Sequence, residues 1–170
     1  MVEIVTLKEI LESELEWVSK TPFSIKKIYE LRSGKDIVGV LQHDELFGNL
    51  AHSETEFGKW WFDIEGIFEP RIVMREGNEI IAKQSNVSED DGLIEFCNGR
   101  NYRWSRCKIT NDFSFSNEER EIIRISKNNG IICRVKIHIK EKIEHKELMQ
   151  LISFAGYLMT INEKNRIWED

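Results

Sequence analysis

The chain has 170 residues, 41% of them hydrophobic and 32% charged, enough for one domain with a sizeable core over 1–170 and too few for two comfortable ones. A formal charge of −6 argues against indiscriminate nucleic-acid binding, and two prolines, ten glycines and no Ser/Gly/Pro-rich run leave no linker-like tract. Three cysteines, at 97, 107 and 133, build neither a disulfide framework nor a zinc spacing.

The start of the chain lacks a basic segment followed by an apolar run, so it does not read as a secretory signal. With the cysteine pattern, this makes a reducing cytoplasm the expected setting. Thr6 and Glu9 stand at capping-box spacing, and Val5 with Ile10 can form the hydrophobic staple. A helix therefore begins at Leu7, with Leu7, Ile10, Leu11, Leu15 and Val18 as its apolar stripe and Thr21-Pro22 as its stop. The spacing predicts an N-terminal helical extension over 1–22.

Beyond that point the hydrophobic period changes from 3.6 to 2. Residues 28–32 and 37–41 are rich in branched and aromatic side chains and flank Ser33-Gly34-Lys35, the pattern of a hairpin. Strands are expected at 46–51 and 59–64, then at 71–75 and 79–84 around Gly77-Asn78. Segments 93–97 and 100–106 flank Asn98-Gly99, a dipeptide that tolerates positive φ at both positions. Segments 112–115, 121–126 and 131–139 complete the run. In the last, Ile131, Cys133, Val135, Ile137 and Ile139 alternate with Ile132, Arg134, Lys136 and His138, so one side faces a core and the other water. Trp60 and Phe62 are expected inward, with Trp61 beneath the N-terminal helix.

Residues 145–161 are apolar on every helical face, and such a helix must be buried all round. Its apolar run of about 14 residues is short of the roughly 18 to 20 needed to cross a bilayer, so protein is the expected shield. Ile167-Trp168 is a candidate for one more strand. Many short strands with tight turns and one apolar helix define the expected fold class: mainly β, a closed antiparallel barrel of about twelve strands enclosing a hydrophobic C-terminal helix.

Tyr29-Glu30-Leu31 through Val38-Gly39, the aromatic Gly58-Lys59-Trp60-Trp61-Phe62, the turn Asn98-Gly99-Arg100-Asn101-Tyr102-Arg103-Trp104 and the closing helix together resemble the tubby-like superfamily. Within it, the likeness is to prokaryotic relatives of the LURP-one-related proteins, which share a fold with tubby C-terminal and phospholipid scramblase domains. It runs from about residue 25 to 162. It implies a twelve-stranded barrel around a hydrophobic helix. Tubby domains bind phosphoinositides through basic surface residues, and plant relatives are associated with defence, but no catalytic constellation unites the group.

Charge is segregated along the chain. Residues 98–110 carry Arg100, Arg103, Arg106 and Lys108 with no acid, and residues 120–142 carry seven bases against Glu121 and Glu141. Alternation places Arg124, Arg134, Lys136 and Lys140 on the solvent side of neighbouring strands, and like charges on one face attract anions such as lipid headgroups. These four are the candidate ligand-binding residues.

Catalytic signals are sparse. No nucleophile elbow, phosphate loop or dinucleotide fingerprint is present, and the histidines at 43, 52, 138 and 145 have no metal-ligand spacing. No cofactor is implied. The reading is a non-enzymatic cytoplasmic binding or scaffold domain with an anionic phospholipid, a phosphorylated ligand or a protein as partner. One alternative is a small-molecule carrier, which needs an open lumen. Another is a hydrolase built on His43, Asp44 or Cys107, where Arg106 and Lys108 flank the thiol.

Overall fold

Gly34, Gly58, Gly77 and Gly99 each adopt positive φ between short extended segments, so the chain reverses tightly and repeatedly into an antiparallel meander. The computed structural model describes residues 14–20, 26–44, 46, 48–85, 88, 90–118, 120–128 and 134–166, the side chains of 128 and 162–166 excepted. The strands are β1 (Leu15–Ser19), β2 (Lys26–Ser33), β3 (Asp36–Asp44), β4 (Ala51–Thr55), β5 (Gly58–Glu65) and β6 (Arg71–Glu76). They continue as β7 (Glu79–Gln84), β8 (Asp91–Phe96), β9 (Asn101–Arg106), β10 (Phe113–Asn117), β11 (Arg120–Asn128) and β12 (Arg134–Ile139), followed by helix α1 (His145–Arg166).

Each strand pairs with its sequence neighbours, and β1 pairs with β12, so the sheet closes into a barrel without edges. Twelve tilted strands about 4.8 Å apart enclose roughly 24 Å between backbones, too wide for strand side chains to fill alone. The space left at the axis is of the order of 10 Å, the width of an α-helix. Helix α1 occupies it. Residues 151–161 are buried on every face, and they pack against the inward side chains of several strands. Phe62 of β5 stacks on Tyr157 at 5.0 Å between ring centroids and meets Phe154 edge-on at 5.9 Å. Gly156 lies against Trp17 of β1 and Leu41 of β3.

The N-terminal expectation requires correction. Leu15 and Val18, read as part of a helical stripe, belong to strand β1, so the expected helix does not include residues 15–19. Leu15 and Trp17 are both almost fully buried, and Trp17 pairs with Val135 on one side and Leu31 on the other. Tertiary demand overrides local propensity here, because closure needs a strand between β12 and β2. The proposed helix start at Leu7, with Thr6, Glu9, Ile10 and Leu11, lies outside the described residues.

Two smaller corrections follow the same logic. The strand expected at 46–51 is instead Ala51–Thr55. Leu46 belongs to the preceding connection, where its amide donates to Asp44 Oδ1 at 3.1 Å and Gly48 takes φ +78°. The twelfth strand is β1; Ile167-Trp168 lies outside the described residues.

Candidate functional site

The alternation in β11 and β12 is as expected: Ile123, Ile125, Val135 and Ile137 are buried, and Arg124 and Arg134 point outward. Register places Arg124 opposite His138 and Ser126 opposite Lys136. Arg124, Arg134, Lys136 and the exposed Lys140, which follows β12, therefore share one outer face.

That face also carries carboxylates. Arg124 forks onto Glu121, with Nε and Nη2 donating at 2.9 and 2.8 Å. The Arg124 bond, helped by the Ser114 hydroxyl at 2.8 Å, holds the Glu121 carboxyl below its ordinary range against the opposing effect of burial, and Lys140 contributes to the same field. Arg134 approaches Glu16 at 3.6 Å, and Lys136 approaches Glu14 at 3.5 Å. Glu14 and Glu16 arrive with β1, so reading that segment as a helix concealed them. The result is four cations interleaved with three carboxylates. Exposed ion pairs are weak because water screens them and long side chains lose entropy in forming them. A multivalent anion can therefore compete for these cations.

The catalytic candidates are not brought together. His43 is buried inside the barrel, 6.2 Å from the Tyr157 ring, whereas Cys107 is exposed in the connection after β9. The Thr110 hydroxyl, with the amides of Thr110 and Ile109, lowers the Cys107 thiol below its ordinary range. Asp44 ends β3 on the outer side, and its carboxylate caps the Leu46 amide. Among the described residues, no three His, Cys, Asp or Glu side chains form a group that could hold a metal.

Sequence reasoning missed a second polar constellation, where α1 enters the barrel. Glu147, in the first turn of α1, is 3% exposed and accepts from the Tyr102 hydroxyl and from Arg100 Nη1 at 2.6 Å. Burial, then the adjacent carboxylate, raises the Tyr102 phenol far above its ordinary value. Lys146 pairs with Glu76 at 3.0 Å, and Trp60 donates to the same Glu76 at 3.2 Å. Glu144 caps the helix, accepting from the amides of Lys146 and Glu147 at 3.0 and 2.8 Å. Arg100, Tyr102 and Glu147 thus serve as a latch that holds the plug.

Trp61 lies on the outer face, with His52 4.8 Å away and the Lys59 ammonium 5.1 Å from its ring centroid. The lumen is filled by α1. Beside Gly156 a small apolar cleft lined by Trp17, Tyr29, Leu41, Val135, Met159 and Thr160 has room for little more than a water. Comparison with family models, curated proteins and solved structures returned no match.

Proposed function

We propose that this chain is a non-enzymatic binding domain whose outer β11–β12 face meets an anionic ligand of the phospholipid-headgroup kind, in a reducing cytoplasm. The observation that carries the reading is the convergence of Arg124, Arg134, Lys136 and Lys140 on one exposed face, held by a rigid sheet. Anion exchange is most feasible at Lys136 and Arg134, whose pairs with Glu14 and Glu16 are long and solvent-screened, while the two-point Arg124–Glu121 pair is firmer. The tubby-like resemblance favours the same reading, since a barrel around a central helix is the architecture it implies. The exposed thiols of Cys97 and Cys107 suit a reducing compartment.

The carrier alternative loses support because α1 fills the space a ligand would need. The hydrolase alternative loses support because His43 and Cys107 are separated by the barrel wall. Binding to acidic liposomes should weaken with salt, and Arg134→Glu with Lys136→Glu should weaken it more than tenfold, given about 1 kcal/mol per basic residue near an anionic surface. Unchanged affinity in the doubly reversed protein would refute the assignment of this face.

A further inference from the structure

Strand alternation sends successive connections to opposite ends of the barrel. At the end where α1 enters, the turns at 34–35, 56–57, 77–78, 97–100 and 118–119 are short. The connections at the other end, at 45–50, 66–70, 85–90 and 107–112 among them, are longer. Leu46, Ile67, Phe68 and Ile109 all belong to that end and are 72%, 93%, 96% and 92% exposed. Among the described residues, these are the large apolar side chains more than half exposed, and none is at the entry end.

Scattered exposed apolar residues need no explanation, but nearly complete exposure confined to one rim does. The tips rise from three separate loops. Connections on one rim recur every second strand, roughly 10 Å apart, so the three loops span nearly half the circumference. A protein partner would need a matched hole for each tip. The interfacial layer of a bilayer accepts apolar side chains at any spacing. Cations stand at the same rim among acids: Lys108 beside Ile109 pairs with Asp90 at 2.9 Å, Arg71 after the 66–70 loop pairs with Glu65 at 3.3 Å, Arg134 at the start of β12 lies 3.6 Å from Glu16, and Lys26 and Lys27 begin β2. Their aliphatic stems can lie along the headgroup layer while the charge meets phosphate. Arg134 belongs equally to the basic strand face, which makes the two surfaces continuous.

We propose that this end of the barrel enters the interfacial layer of a lipid bilayer, with Leu46, Ile67, Phe68 and Ile109 inserting and the rim cations at headgroup level. The inference rests on the phospholipid-headgroup reading above and adds the docking end and an apolar contribution that salt does not remove.

The test is co-sedimentation of the full chain with phosphatidylcholine vesicles, with and without phosphatidylserine, at low and high salt. The variants are Ile67→Ser with Phe68→Ser, Ile109→Ser, and Arg134→Glu with Lys136→Glu. A parallel calorimetric titration uses soluble inositol hexakisphosphate. The serine substitutions replace exposed side chains, so unchanged thermal unfolding certifies the fold. The proposal expects the Ile67/Phe68 variant to lose about tenfold or more in vesicle affinity, to lose the salt-resistant fraction, and to bind the soluble polyanion as the parent does. Vesicle binding that ignores the serine substitutions but falls on charge reversal overturns the insertion and leaves the basic face standing. Loss with serine but not with charge reversal supports insertion and overturns the basic face. A parent chain that binds the soluble polyanion but no vesicle also overturns insertion.

Discussion

Gly156 shows how a single residue can invert a propensity argument. In an exposed helix, Gly→Ala gains up to about 1 kcal/mol. Here a Cβ would meet the Trp17 indole at 3.0 Å and Leu41 Cδ2 at 3.2 Å, between a rigid ring and a closed sheet. Overpacking of this kind costs about 1–3 kcal/mol, so Gly156→Ala should destabilise the protein in urea unfolding. A stabilised variant would mean that Trp17 has space to retreat. Glu147 makes the complementary argument about polarity. Its replacement by Ala leaves the Tyr102 hydroxyl without its carboxylate inside the wall, and should cost about 1–3 kcal/mol. Phe in place of Tyr102 should recover part of that loss in the Glu147→Ala background. Neither residue is conspicuous in the sequence, since one is a helical glycine and the other a first-turn acid among many.

At the scale of elements, turn chemistry and alternation made most strands legible, because Gly77-Asn78 and Asn98-Gly99 tolerate the backbone that hairpins require. Strand β1 was not legible, because Leu15 and Val18 are spaced for a helix. Trp17, which that stripe omits, carries the strand signal together with Leu15. Trp17→Ala should therefore cost about 3–5 kcal/mol, the range for a buried aromatic, where a surface-helix position would cost little. The partners of the basic face were hidden by the same error, since Glu14 and Glu16 come with β1. The apolar loop tips were hidden for another reason: Ile67 and Phe68 look like core residues until the barrel is closed without them.

The cap of α1 has a pH signature. The amides of Glu147 and Lys146 hold the Glu144 carboxyl below its ordinary value near 4.5. A folded-state pKa below the unfolded one gives stability that is complete above about 4.5 and lost as pH falls through the folded value. Glu144→Gln should therefore be slightly less stable than the parent at neutral pH, with the difference vanishing in acid. A difference that stays the same while pH falls through the whole acid range in which the parent remains folded would show that charge is not its source.

At the scale of the molecule, a twelve-stranded barrel cannot be dry and stable while its axis is empty, and among the described residues the apolar element long enough to fill it is α1. Twenty-two residues give about 33 Å of helix, enough to run the length of the strands around it. Sheet and helix therefore have no separate cores: Phe62, Trp60 and Tyr102 reach the same cluster as Leu151, Phe154 and Tyr157. This arrangement leaves the outer surface and the rims as the parts of the barrel that face solvent. Native-state hydrogen exchange, resolved by residue, tests it most directly. The amides of 148–161 should exchange only through global unfolding, with the same free energy as the inward strands β5 and β9; exchange of the helix at a clearly lower free energy, while those strands remain protected, would contradict an enclosed helix.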